Sequence, residues 1–144
     1  MDKLIHLLIS LSKIKLIGKV FLILLKLLTI EIPKEAQISK TVRFKHWSTG
    51  LVIHPNTMIE DDVHIYQGVT IGRADAYKDY SESNMQKIII RKGAVLCAGA
   101  KILCKTGVLE IGENTVIGAN AVLLTSTSPN EVWAGSPAKK IGMR

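Results

Sequence analysis

The stretch Ile53-His54-Pro55-Asn56-Thr57-Met58-Ile59-Glu60-Asp61-Asp62-Val63-His64-Ile65-Tyr66-Gln67-Gly68-Val69-Thr70-Ile71 carries an isoleucine at every sixth position. Four residues after each of the first three stands a small or β-branched side chain, at Thr57, Val63 and Val69. The same phase extends back to Ile32, Ile38 and Phe44 and forward through Ile90, Leu96, Ile102, Ile111, Ile117 and Leu123, with Ala36, Val42, Ala94, Ala100, Thr115 and Ala121 at the companion positions. Two inward positions in six describe a short strand and a tight turn, repeated; that is the hexapeptide signature of a parallel β-helix, in which each strand stacks on the coils above and below. An α-helix needs apolar residues every third or fourth position, and an antiparallel sheet needs alternation broken by hairpins. Turn segments such as Ile111-Gly112-Glu113-Asn114 and Ile117-Gly118-Ala119-Asn120 supply residues that tolerate positive φ. The pattern predicts an all-β solenoid over residues 32–144, behind a short α-helical segment over residues 1–31.

A chain of 144 residues suffices for one domain with a modest appendage. A solenoid this short leaves flat outer faces and two open ends, so burial against copies of itself is expected. The net charge of +7 is spread along the sequence, and aromatic residues make up 5% of it. That combination argues against nucleic acid and for anionic small molecules or lipid headgroups. Cys97 and Cys104 lie inside the repeats and match no zinc-binding spacing. They are expected as small buried residues of a cytoplasmic protein.

Residues 1–31 are rich in Leu, Ile and Lys, and Gly18 separates two helical halves. The uncharged runs between Lys3, Lys13, Lys15, Lys19 and Lys26 fall well short of the roughly 20 apolar residues a spanning helix needs. A helical wheel groups Lys3, His6, Ser10 and Lys13 on one side of the first half, and Lys15, Lys19 and Lys26 on one side of the second. Two amphipathic helices are expected, either covering the open end of the solenoid or a neighbouring subunit, or lying on an anionic membrane surface. Lysines within the apolar part, and the lack of a small-residue cleavage site before Ile32, argue against a signal peptide.

Two interruptions break the hexads, and interruptions in a solenoid emerge as loops where binding groups gather. The first holds Lys45, His46, Trp47, Ser48, Thr49 and Gly50. The second runs from Arg73 to about Lys87 and is polar. The segment Val132-Trp133-Ala134-Gly135-Ser136-Pro137-Ala138-Lys139-Lys140-Ile141 leaves the repeat and reads as a basic cap.

Five blocks in order carry a family resemblance: Phe44-Lys45-His46 with Gly50-Leu51-Val52-Ile53-His54-Pro55; Ile65-Tyr66-Gln67-Gly68-Val69-Thr70-Ile71-Gly72; Ala98-Gly99-Ala100-Lys101-Ile102-Leu103; Ile117-Gly118-Ala119-Asn120-Ala121-Val122; and Ala134-Gly135-Ser136-Pro137-Ala138. The chain resembles the serine acetyltransferase branch of the hexapeptide-repeat acyltransferases, and in particular small O-acetyltransferases of surface polysaccharide pathways. The resemblance implies left-handed coils, a homotrimer and an acetyl-CoA site between subunits. It makes His46 the general base that takes the proton of an attacking hydroxyl, a role an imidazole with a pKa near 6.5 suits. It places Ala100, Gly118 and Ala119 along the pantetheine arm, and Lys139 and Lys140 near the phosphates. Backbone N–H groups at Gly68 and Gly72 are candidates for the oxyanion site. Outside the resemblance, His54 and His64 are expected as outward-facing structural or surface residues.

Serine acetyltransferases carry an acid immediately before the catalytic histidine and an Arg-His pair in the later loop. Here those acceptor-facing positions are Lys45, Asn84 and Met85. An amide cannot replace the charge-assisted bond a guanidinium makes to a carboxylate. That puts serine in doubt, and the resemblance to polysaccharide O-acetyltransferases implies as acceptor a hydroxyl of a sugar or surface-polysaccharide precursor, with serine as the rival and a non-catalytic assembly platform as the alternative of another class. The four histidines do not form the three-histidine zinc pattern of the β-helical carbonic anhydrases, so no metal is expected.

Overall fold

A computed structural model describes residues 2–14 and 17–144. Two short helices, α1 (Asp2–Ser12) and α2 (Gly18–Leu27), precede a stack of coils whose strands fall into three sheets. The first sheet holds Gln37–Ile38, Thr57–Ile59, Asn84–Ile90 and Thr106–Ile111, all parallel. The second stacks Arg43–Phe44, His64–Ile65, Val95–Leu96, Val116–Ile117 and Glu131–Gly135, and ends with the antiparallel strand Ala138–Met143. The third holds Val52–Ile53, Thr70–Arg73, Lys101–Cys104 and Val122–Leu123. This is the parallel β-helix that the hexads require.

The hexad anchors stack as vertical rows, one per sheet. Ile53, Ile71, Ile102 and Leu123 are in register in one, and Phe44, Ile65, Leu96 and Ile117 in another. All are at most 3% exposed, and so are the companion positions from Ala36 to Ala121. Ile38, on the first coil, is only partly buried because one of its stacking neighbours is missing. On the outer face Arg91 spans three coils, its Nη1 2.7 Å from Glu60 Oε1 and its Nε 2.7 Å from Glu110 Oε1.

The helices pack on the first coil. α1 buries Ile5, Leu8 and Ile9, and α2 buries Leu25. His6, grouped by the wheel with Lys3, Ser10 and Lys13, is half-buried: its Nε2 lies 2.7 Å from the Val42 carbonyl and its ring meets the Phe44 edge at 5.2 Å. Gly18 opens α2, and a Cβ there would collide with the Ser12 carbonyl, so the glycine permits the close approach of the two helices. Lys15, grouped above with Lys19 and Lys26, lies outside the described residues.

The second interruption is shorter than the sequence indicated. The strand Asn84–Ile90 begins at Asn84, so the loop spans residues 74–83. Pairing with Thr106–Ile111 extends this strand beyond the hexad length, and a register shift at Gly107 absorbs the mismatch. The terminal hairpin first continues the stack, Val132 on Val116 and Trp133 on Ile117, before Ala138–Met143 folds back on it.

Candidate active site

The first interruption forms a turn, Lys45–Ser48, at the corner between the second and third sheets. His46, Trp47 and Ser48 all adopt positive φ, at 50°, 62° and 44°. Three consecutive left-handed L-residues are costly, and such strain persists only where the surroundings over-determine it, commonly at functional sites. The restraints are visible. Ser48 is fully buried and its hydroxyl donates to the Ile65 carbonyl at 2.9 Å. The Gly68 N–H donates to the Thr49 carbonyl at 2.7 Å. The Gly50 N–H is shared at 3.0 Å between the carbonyl and hydroxyl of Thr29, just beyond α2.

This frame leaves His46 exposed at the apex, with its ring 5.7 Å from that of Tyr66 on the adjacent coil and Trp47 beside it, 44% exposed. An exposed imidazole on a rigid turn can accept a proton from a bound hydroxyl with little reorganisation. No sequence motif marks Tyr66 as a neighbour of this turn. It lies next to Ile65, which is stacked on Phe44, a pairing across coils that no local pattern announces. Next to Tyr66, the Gln67 side-chain oxygen is buried and has no hydrogen-bond partner among the described residues.

Lys45 is half-buried beside His46, and Asn84 is exposed at the start of its strand. Met85 does not face an acceptor: it is 8% exposed and joins the hydrophobic cluster. A bulge at Gln86, skipped between the Met85–Gly107 and Lys87–Val108 pairs, shifts the alternation and turns Met85 inward, which its expected place in a loop concealed. The Gly68 N–H is occupied by the Thr49 carbonyl, so it does not serve an oxyanion, and Gly72 sits inside the strand Thr70–Arg73 in register with Leu103. Ala100 is fully buried, while Ala119 is exposed. Gly118 is small for a structural reason, because a Cβ there would lie 3.2 Å from Ala134 Cβ and from the Trp133 carbonyl. Lys139 is exposed, but the Lys140 ammonium is paired with Glu131 at 2.9 Å, so this expected phosphate partner is already engaged. Lys101 Nζ donates to the Gly68 carbonyl at 2.7 Å and to Thr70 Oγ1 at 3.0 Å, tying two coils together below the turn.

His54, expected as an outward structural residue, anchors a second cluster. Its Nδ1 accepts the Asn56 N–H at 3.1 Å, so the neutral ring carries its proton on Nε2, which donates to Tyr80 Oη at 3.0 Å. The two rings stack 5° from parallel, and the Arg73 guanidinium lies 4.9 Å over Tyr80. Burial, then the Arg73 charge, hold the His54 pKa below the usual histidine value. Burial also lowers His64, helped by Lys45 and Arg43, and raises the thiols of Cys97 and Cys104. Cys104 is buried as expected, and Cys97 is half-buried. Among the described residues no three His, Cys, Asp or Glu side chains gather as a metal site.

The fold and its strained histidine turn define a class: left-handed β-helices built from hexapeptide repeats. No family model matches the chain. It is 36% identical over 113 residues to the serine acetyltransferase of Salmonella typhimurium and 37% identical over 110 residues to that of Haemophilus influenzae, matches that cover 78% and 76% of this chain. In each case the chain spans 38% of the relative's length. It superposes on the crystal structure of the Brucella abortus serine acetyltransferase in complex with coenzyme A with a TM-score of 0.76 and 30% identity, over 96% of this chain and 53% of that one. The chain belongs to the serine acetyltransferase-like branch of the hexapeptide-repeat transferases.

Proposed function

We propose that the protein is an acetyl-CoA-dependent O-acetyltransferase with His46 as general base. The observation that carries this reading is the strained, exposed His46 turn in a chain that superposes on a coenzyme A complex of a serine acetyltransferase. The acceptor hydroxyl gives its proton to the imidazole as its oxygen attacks the thioester carbonyl. Collapse of the tetrahedral intermediate expels the CoA thiolate, which takes the proton back, so no acyl-enzyme is needed. The pantetheine arm would run past Gly118 and Ala119, with Lys139 as the exposed cation for a phosphate. In the homotrimer the resemblance implies, this cleft lies between neighbouring subunits.

The names of the relatives make serine the acceptor with the better support. A sugar hydroxyl is the second reading, and Lys45 and Asn84 favour it, because neither reproduces the acid or the guanidinium that hold an amino acid. Coenzyme A release from acetyl-CoA, measured with serine and with nucleotide sugars, separates the two. Release with serine selects the first reading and release with a sugar the second. The His46→Ala variant is expected to lose roughly 10²–10⁴-fold in rate with either acceptor. Full activity of that variant would overturn the assignment of the base.

A further inference from the structure

We infer that the two N-terminal helices form a docking face for an anionic lipid bilayer, with a lysine-lined groove that takes a lipid headgroup. The inference is independent of which hydroxyl is acetylated. It begins with an excess of apolar surface. α2 packs against α1 and turns Leu25 inward, yet Val20, Ile23, Leu24 and Leu27 lie exposed on the opposite face at 57%, 58%, 39% and 74%. Their spacing of i, i+3, i+4 and i+7 makes one continuous stripe. α1 repeats the arrangement: Ile5, Leu8 and Ile9 are buried, while Leu4 and Leu7 are exposed at 42% and 53%. Such contiguous apolar exposure marks an interaction site.

Charge selects the partner. Between Lys3 and Ile30 the sequence has five lysines and no acidic residue. Docking of the same face on a second copy would bring like charges together, because a twofold interface sets a patch against itself. Lys19 and Lys26 sit on one border of the α2 stripe, where long side chains keep their ammonium groups at a polar boundary while their stems follow the apolar face. A lysine-flanked apolar stripe lying in the headgroup region is the ordinary form of an interfacial helix. Neither described helix is long and apolar enough to cross the membrane.

A second observation is independent of the stripe. A groove of about 480 Å³ opens between the end of α1, the start of α2 and the first coil, bordered by Lys13, Lys19 and Lys34, with Ile14 and Leu22 as its apolar wall. Glu35 also borders it, and Lys34 lies 4.0 Å from that carboxylate. Three cations around an apolar-walled groove suit a phosphate-bearing headgroup whose acyl chains leave along the exposed stripe. The same helices reach the reactive turn, since Thr29 beyond α2 holds Gly50 and His6 of α1 packs on Phe44, two residues from His46. Docking would therefore hold the His46 corner near the lipid surface.

Vesicle flotation of the full chain tests this. The protein is expected to float with vesicles of phosphatidylcholine mixed with phosphatidylglycerol, to stay behind with phosphatidylcholine alone, and to be released by high salt. Replacing Lys13, Lys19 and Lys34 by Gln should lower the partition coefficient by about fivefold per lysine. The Ile23→Ser, Leu27→Ser variant should abolish flotation while the melting temperature and circular dichroism stay unchanged, since both side chains are exposed. Failure of the wild type to float with anionic vesicles overturns the inference. So does a serine variant that still floats, or one that changes the oligomeric state in place of vesicle binding.

Discussion

The Ser48 hydroxyl donates to the Ile65 carbonyl at 2.9 Å and reaches the Lys45 carbonyl at 3.3 Å, so one fully buried side chain ties the His46 turn both to itself and to the neighbouring coil. Because three residues of this turn are left-handed, its shape depends on such bonds and not on local preference. Ser48→Ala removes the donor and leaves the Ile65 carbonyl without it. A loss of about 1–2 kcal/mol in stability is expected by thermal or chemical denaturation, together with a fall in kcat larger than any change in KM. An unchanged kcat would show that the turn holds its shape without Ser48.

The His54–Tyr80 pair predicts an acid-sensitive loop. The folded-state pKa of His54 lies below its ordinary value of about 6.5, so below that pH the unfolded chain binds a proton that the folded chain resists. Stability is then fully present above about pH 6.5 and declines as the pH falls through the window beneath it. His64 is shifted in the same direction and adds to the slope. The melting temperature of His54→Gln is expected to fall less steeply on acidification than that of the wild type, and an identical slope would refute a role for His54.

Two glycines on one coil should respond differently to alanine. Gly68 has φ of +69° and faces Gly99, and a Cβ there would lie 3.5 Å from the Gly99 Cα, whereas Gly72 has ordinary φ and open space around it. Gly68→Ala is expected to cost roughly 1–2 kcal/mol, the usual penalty for an L-residue in the left-handed region. Gly72→Ala should stay within about 0.5 kcal/mol of the wild type. Denaturation midpoints of the two variants check the contrast.

Glu131 organises the terminal hairpin, accepting from Trp133 Nε1 and the Ser128 N–H, both at 2.9 Å, while pairing with Lys140. The Lys140 and Trp133 contacts hold its carboxyl below the usual range. Glu131→Gln should raise hydrogen exchange in residues 131–143 and leave exchange in the central coils unchanged. A uniform rise across the chain would mean that the hairpin is not a separate unit of stability.

The hexad period determined by itself that Ile53, Ile59, Ile65 and Ile71 point inward and that the chain coils as a solenoid, because stacking makes inward direction a local, periodic property. The position of His46 outside that period was equally legible. Contacts between coils were not. Tyr80 reaches His54 across 26 residues, Ser48 reaches Ile65 across 17, and Met85 turns inward because its strand pairs with Thr106–Ile111. Lys140 likewise looked available in the sequence, and the folded hairpin pairs it with Glu131. Such pairings depend on which residues the coil geometry sets above one another, and an interruption of uncertain length shifts that register, so only the tertiary structure decided them.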